Sequence, residues 1–366
     1  MKKVLLSMAA IALIFTACSD DSNEVNPQQQ QIDMSDFYTY TADVDEASRQ
    51  AQDKNAKSCN TMVNLNRKLN QNPGLEKKMY DIEHHIRSVI AGKKGGNGGG
   101  NGGGNGGGGG GTTPTPYEGT VNIPVVVHVL YNTADENISQ AQVDSQINAL
   151  NAAFNGSDAN SNFVPAEFEG AKAGDIDINF SLAGVTRTFT SRTSWPYTTT
   201  NDYMKSSSTG GVDPWDTKEY LNIWVVSQMP YNGGRILGYA QFPGGSADTD
   251  GVVMDYNDFG TTGAVVAPNN LGKVTSHEVG HWLNLRHIWG DGRCKQDDFV
   301  ADTPSSDRAN RGCPTYPLVH CRTADMTMNY MDYTDDACLY MFTQGQADRM
   351  RALFATGGAR EDFVLP

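Results

Sequence analysis

The sequence has no C-x-x-C pair, no glycine-rich loop carrying the lysine of a phosphate cradle, and no apolar run long enough to cross a bilayer comfortably. The first absence disfavours a zinc ribbon, the second a nucleotide-phosphate site and the third a transmembrane helix. Basic residues are scarce in the C-terminal two thirds: residues 1–116 hold 12 basic and 12 acidic side chains, whereas residues 117–366 hold 16 and 30. That imbalance excludes nucleic acid as a partner, because phosphate binding needs basic patches. It suits cationic substrates or calcium. Residues 95–111 contain only Gly and Asn. Nothing there can bury apolar surface, and glycine loses the most entropy on ordering, so the run reads as a flexible linker spanning on the order of 20–25 Å.

What is present begins with Met1-Lys2-Lys3 and the apolar Val4–Ala17, the pattern of a secretory signal. Leu13-Ile14-Phe15-Thr16-Ala17-Cys18 resembles the lipobox of bacterial lipoproteins, which implies cleavage before Cys18 and a lipid on its sulfur. Ser19-Asp20-Asp21 resembles the surface-export signals of Bacteroidetes lipoproteins, implying an outer-membrane anchor, cell-surface display and release of the globular part after cutting in the linker. Residues 18–45 are polar, with Gln28 to Gln31 in a row, and read as a tether. Met62, Leu65 and Leu69 recur at helical spacing, Asn72-Pro73-Gly74 breaks the pattern, and Leu75, Met79, Ile82, Ile86, Val89 and Ile90 resume it. Such a hairpin is too small to stand alone and must pack on something larger.

From Tyr117 the pattern is that of an α/β domain. Five strands are predicted: Val121–Tyr131, Ile176–Leu182, Tyr220–Val226, an edge strand at Gly238–Pro243, and Gly251–Met254. Ser139 with Gln142 marks the start of a helix to about Phe154 that backs the sheet. After His287 the chain is loop-rich until a closing helix over Thr343–Phe354.

One stretch carries chemistry. His277-Glu278-Val279-Gly280-His281 falls at the end of a helix predicted over 271–284, and residues four apart share a helix face, so both imidazoles can reach one metal. Glu278 can reach a water at that metal without ligating the ion. Asn284 tolerates a left-handed turn that brings His287 round as a third ligand. Three imidazoles and one open position describe a catalytic zinc site rather than a closed structural one. Of the six cysteines, Cys294, Cys313, Cys321 and Cys338 could form two disulfides in an oxidising compartment, and spacing alone leaves three pairings open.

The run from His277 to Asp291, with Asn329-Tyr330-Met331-Asp332-Tyr333 and Asp335-Asp336-Ala337-Cys338 downstream, resembles the pappalysin (M43) family of metzincin metalloproteases, in its ulilysin-like bacterial branch. The resemblance implies an α/β (α+β metzincin-like) fold: a mixed, twisted five-stranded sheet with an active-site helix and a backing helix, then a loop-rich C-terminal subdomain with a Met-turn and a closing helix. It implies zinc on His277, His281 and His287, Glu278 as general base, a hydrophobic floor at Met331 and an oxyanion partner in Tyr333. Asp336 matches the acidic residue of the pocket that receives the residue after the scissile bond, which implies cleavage before Arg or Lys. Disulfides Cys294–Cys321 and Cys313–Cys338 are implied, as is a calcium site at Asp298 and Thr303. Cys59, in Lys57-Ser58-Cys59-Asn60, resembles the cysteine of a pro-segment that plugs the zinc's open position.

The expected organisation is therefore a signal peptide (1–17), a lipidated tether (18–45), a helical pro-segment (46–94), a linker (95–116) and a catalytic domain (117–366). The expected function is a secreted, monomeric zymogen endopeptidase that hydrolyses protein or peptide substrates with water activated by zinc and Glu278. The alternatives are an idle lipoprotein adhesin and a zinc amidase acting on cell-wall material.

Overall fold

The computed structural model describes residues 32–41, 57–95, 114–197, 201–231 and 234–365. The expected signal peptide, the lipidation site Cys18 and nearly all of the Gly/Asn linker lie outside them. In chain order the main elements are β1 (Lys57–Cys59), α1 (Thr61–Gln71), α2 (Leu75–Gly95), β2 (Val121–Tyr131), α3 (Gln140–Phe154), β3 (Ile178–Phe189), β4 (Leu221–Val226), β5 (Met229–Tyr231), β6 (Gly234–Ala240), β7 (Val252–Asp255), α4 (Lys273–Trp282) and α5 (Gln344–Ala352).

Valines 125–127 of β2 are fully buried, as a strand covered on both faces requires. β2 pairs in parallel with β3 and β4, and β4 pairs in parallel with β7. β6 then runs antiparallel to β7, giving the order β1-β6-β7-β4-β2-β3, with β5 also paired to β6. All five predicted strands are present within this seven-stranded sheet. The two additions, β1 and β5, are only three residues long, too short to leave a periodic signal. β3 continues to Phe189, beyond the predicted Leu182, because it pairs with β2 as far as Tyr131 while its outer side chains become polar.

α3 and α4 share the larger core: Val143, Ile147, Leu150 and Phe154 of α3 meet Val279 and Trp282 of α4. Ser139 caps α3 by accepting from the Gln142 amide at 3.1 Å, as its sequence predicts. The other face of the sheet buries Trp195, Tyr197, Trp224, Ile236 and Tyr239. The closing helix α5 begins with a capping box between Thr343 and Gln346. Cys294–Cys321 and Cys313–Cys338 are both bridged and fasten the loop-rich region between α4 and α5.

The N-terminal hairpin packs on this body. Met62, Leu65, Leu69, Leu75 and Met79 gather around Phe242, while Ile86 and Val89 join the main core. One expectation is overturned: the stretch read as a polar tether to residue 45 includes a docked piece. Arg286 lies over the Tyr38 ring at 4.4 Å and donates to the Tyr38 carbonyl at 2.6 Å, and the Tyr38 hydroxyl donates to the Asp297 carbonyl at 2.8 Å. Phe37 meets Phe299 at 5.8 Å. Two adjacent aromatics in a polar stretch supply enough apolar surface and cation–π attraction to hold it.

Candidate active site

α4 ends where the sequence predicts a turn. Asn284 has φ +67, the left-handed conformation, and reverses the chain so that His287 faces His277 and His281. The Nε2 atom of His281 lies 3.1 Å from that of His277 and 3.1 Å from that of His287. Each Nδ1 faces outward: His277 to the Tyr330 carbonyl at 2.7 Å, His281 to the Leu285 carbonyl at 2.8 Å, and His287 to the Asp291 carboxylate. With Nδ1 as the N–H donor in each ring, the three Nε2 lone pairs converge on one point, a donor set and spacing that fit a tetrahedral zinc ion. Burial, and then the His287 charge, lowers His277 to about 3, so its imidazole is neutral. Asp291, four residues beyond His287 and within the family-like run, thus orients the third histidine, and its spacing from that histidine is the sequence signal for this role.

The fourth corner is occupied by the N-terminal segment. The sulfur of Cys59 and the three histidines each offer an atom within 4.8 Å of all the others. Burial first, and the Glu278 charge second, push the Cys59 thiol up, so its thiolate needs a cation beside it to form. β1 delivers this cysteine by pairing in parallel with β6, Cys59 opposite Gly238, and the Asn60 amide then donates to the Gly238 carbonyl at 3.1 Å. A Cβ on Gly238 would lie 3.1 Å from Cγ of Glu278, so glycine lets this strand come close to α4.

Glu278 is fully buried, and burial raises it to about 7 despite hydrogen bonds from Thr61 and Cys59 that pull the other way. Its Oε2 accepts from the Thr61 hydroxyl at 2.7 Å and from the Cys59 thiol at 3.4 Å, while Oε1 has no partner. The same Thr61 oxygen accepts from the Ala240 amide at 2.7 Å. Thr61 therefore ties the edge strand to the catalytic-type glutamate, a role that nothing in its local sequence announces.

Met331 is fully buried beneath the histidines, and its sulfur would be 2.5 Å from a Cβ on Gly280, so the glycine of the H-E-x-G-H stretch admits this floor. The Tyr333 hydroxyl donates to the Cys59 carbonyl at 3.3 Å, with its ring 4.9 Å from His287. Asp336 is 1% exposed; its Oδ2 accepts from the Leu271 amide at 2.8 Å and the Lys273 amide at 3.3 Å, and Oδ1 has no partner. Burial raises this carboxyl to about 6 against those amides and the Lys273 charge. In the loop after α4, Asp298 Oδ1 accepts from the Thr303 hydroxyl at 2.8 Å, which turns that hydroxyl inward. Oδ2 of Asp298 and Oδ1 of Asp302 are buried without hydrogen-bond partners.

Residues 205–355 match the family model of peptidase M43, pregnancy-associated plasma protein-A. The chain is 32% identical over 246 residues to an extracellular metalloprotease of Pyricularia oryzae, covering 65% of this chain and 76% of that protein. An extracellular metalloprotease of Arthroderma otae is 30% identical over 235 residues, covering 63% and 76%. Among solved structures, Tannerella forsythia mature mirolysin in complex with a cleaved peptide is 44% identical, with a TM-score of 0.63, covering 68% of this chain and 96% of that one. A mutant of Tannerella forsythia promirolysin is 38% identical, with a TM-score of 0.68, covering 84% and 95%.

Proposed function

Since the chain belongs to the pappalysin (M43) family and is a zinc metalloendopeptidase, we propose that it cuts extended peptides on the N-terminal side of Arg or Lys and is held latent by Cys59. The observation that carries this reading is the convergence of three histidine Nε2 atoms and the Cys59 sulfur beside Glu278.

Zinc, when bound by His277, His281 and His287, supplies Lewis acidity, polarising the scissile carbonyl and acidifying water at the open position. Glu278 takes the proton of the attacking water and passes it to the leaving amine, and a carboxyl already poised near neutrality suits both transfers. The edge of β6 that β1 occupies here binds the substrate as an added strand once the pro-segment has left. Tyr333 donates to the oxygen that gains charge, as its bond to the Cys59 carbonyl supports. The unpartnered Oδ1 of Asp336 is a complement for guanidinium or ammonium after the scissile bond. Met331 keeps the imidazoles packed, and the 298–303 loop binds calcium through Asp298 and Asp302. Export through the 1–17 signal and lipidation at Cys18 remain part of this reading.

The test is cleavage by the linker-cut protein of a peptide library with internal Arg and Lys, in zinc and calcium. Cuts before Arg or Lys are expected; cuts elsewhere remove the Asp336 assignment, and no cuts remove the protease reading. Withdrawing calcium alone should lower the melting temperature by several degrees, because the buried Oδ2 of Asp298 and Oδ1 of Asp302 then have no partner.

Latency rests on two side chains. Cys59→Ala should give peptide cleavage before any linker cut, yet only in part, since Thr61 still holds Glu278. The double variant Cys59→Ala/Thr61→Val should exceed either single variant by about tenfold or more, a hydrogen bond to a charged group being worth that much. Equal activity of the single and double variants would remove Thr61 from the latch.

A further inference from the structure

Asp202 is a catalytic-domain carboxylate whose two oxygens have separate clients. Oδ1 faces partners within the domain: Lys205 at 3.4 Å and the Tyr239 hydroxyl at 3.2 Å. Oδ2 faces only the pro-segment's cations among the contacts of the described residues, Arg67 at 2.6 Å and Lys68 at 3.0 Å. Beside it, the Tyr197 hydroxyl accepts from Arg67 Nε at 3.3 Å and donates to Asn64 at 3.1 Å, and the guanidinium lies 5.9 Å from the Tyr197 ring centre. When the pro-segment leaves, a carboxylate oxygen, a phenol and an aromatic face lose their cation together.

This seat adjoins the cleft. Tyr239 lies on β6 between Gly238 and Ala240, the residues whose backbone groups the pro-segment holds. Side chains directly opposite each other in paired strands project from the same sheet face. A substrate residue paired opposite Tyr239 therefore points over Tyr197, whose ring meets that of Tyr239 at 5.5 Å. The long stems of Lys and Arg can span the width of one tyrosine. The seat also lies at the opposite end of α4 from Asp336. Asp336 binds the amides of Leu271 and Lys273 at the start of that helix. Lys205 donates to the Thr249 carbonyl, and the adjoining Asp250 accepts from Trp282 at the helix's end.

We propose that Asp202 and Tyr197 form a substrate subsite for a basic side chain on the N-terminal side of the scissile bond, which Arg67 fills in the zymogen. The proposal rests on the protease reading above and, for the side of the bond, on Asp336 marking the other end of the cleft. Released from Arg67, the enzyme has two cation seats flanking the point of cleavage, which matches its acidic surface to lysine- and arginine-rich protein segments.

The experiment uses the full chain after linker cutting and release of the pro-segment. A neutral peptide with one Arg after the scissile bond carries a single Lys, or its uncharged carbamylated form, at each of the four preceding positions in turn. Cleavage at the fixed bond is read by mass spectrometry. At one position the lysine peptide should be cut with a kcat/KM about tenfold above its uncharged twin, chiefly through KM. That ratio should fall towards one in Asp202→Asn and partway in Tyr197→Phe, which keeps the ring should the first variant fold poorly around Lys205. Equal rates for every charged and uncharged pair with the unsubstituted enzyme overturn the subsite without recourse to any variant, as does a ratio unchanged in folded Asp202→Asn. Absence of cleavage of all peptides, including the neutral ones, would instead count against the protease reading.

Discussion

Glu278→Ala should lower peptide cleavage by the activated protein on the order of 10³-fold while leaving zinc content at one ion per chain. The glutamate is not among the converging donors; those are the three Nε2 atoms, each fixed by a bond at its own Nδ1. Removing the carboxylate thus leaves the ligands, their orientation and the Met331 floor intact. What disappears is the group that accepts a proton from water and returns it to the amine. The uncut chain should also change. Thr61 loses its acceptor at 2.7 Å and Cys59 its neighbour at 3.4 Å, so the segment should detach more readily despite the idle site. Metal analysis, peptide turnover and the rate of pro-segment loss, measured on one preparation, check the three parts. Loss of zinc from the variant would show that Glu278 is structural and sink the assignment as base.

Glu83→Ala should loosen the pro-segment more than any change at the cleft. Glu83 on α2 and Arg349 on α5 are both about 2% exposed and meet through bonds of 3.0 and 2.7 Å, with Arg87 adding a third at 2.8 Å. Breaking such a pair by deleting one partner leaves an uncompensated buried charge, which costs about 3–5 kcal/mol. After linker cutting, dissociation of the hairpin should therefore become more favourable by a factor of about 10² to several times 10³. Glu83→Gln, which keeps the shape, should fall between. Burial alone would raise this carboxyl, but Arg349 and Arg87 bring it down to about 2. A carboxyl lowered on docking contributes its full stabilisation above its ordinary value near 4.5 and loses it as pH falls towards 2. Acid should thus release the hairpin in the parent and have less effect in Glu83→Ala, as gel filtration of the cut protein would report. Identical acid release in both would assign the sensitivity elsewhere.

These interactions also mark what can be read from the residues alone. The five longer strands, α3 with its Ser139 cap, the hairpin helices, the histidine triad and the left-handed Asn284 all leave local signals, either a period, a cap or a motif. The crossed disulfides followed from likeness to a family, since spacing left the pairing open. Thr61 on Glu278, Tyr38 under Arg286 and Arg67 on Asp202 join residues 217, 248 and 135 positions apart. No short-range pattern encodes such pairs. A threonine at a helix start reads as an ordinary first-turn residue, and two aromatics in a polar run read as incidental. The 298–303 loop shows the same limit at smaller scale: its acidic composition is plain in the sequence, but which oxygens lack hydrogen-bond partners, Oδ2 of Asp298 and Oδ1 of Asp302, is a matter of backbone path.

The Thr61 hydroxyl has a consequence for how the enzyme turns on. One oxygen accepts from the strand that would bind substrate and donates to the glutamate that would act on it. Opening the groove and freeing the glutamate are then coupled through one side chain, and each favours the other. Partial loosening yields only a fraction of the full activity. The enzyme reaches its full rate only when the whole latch lets go.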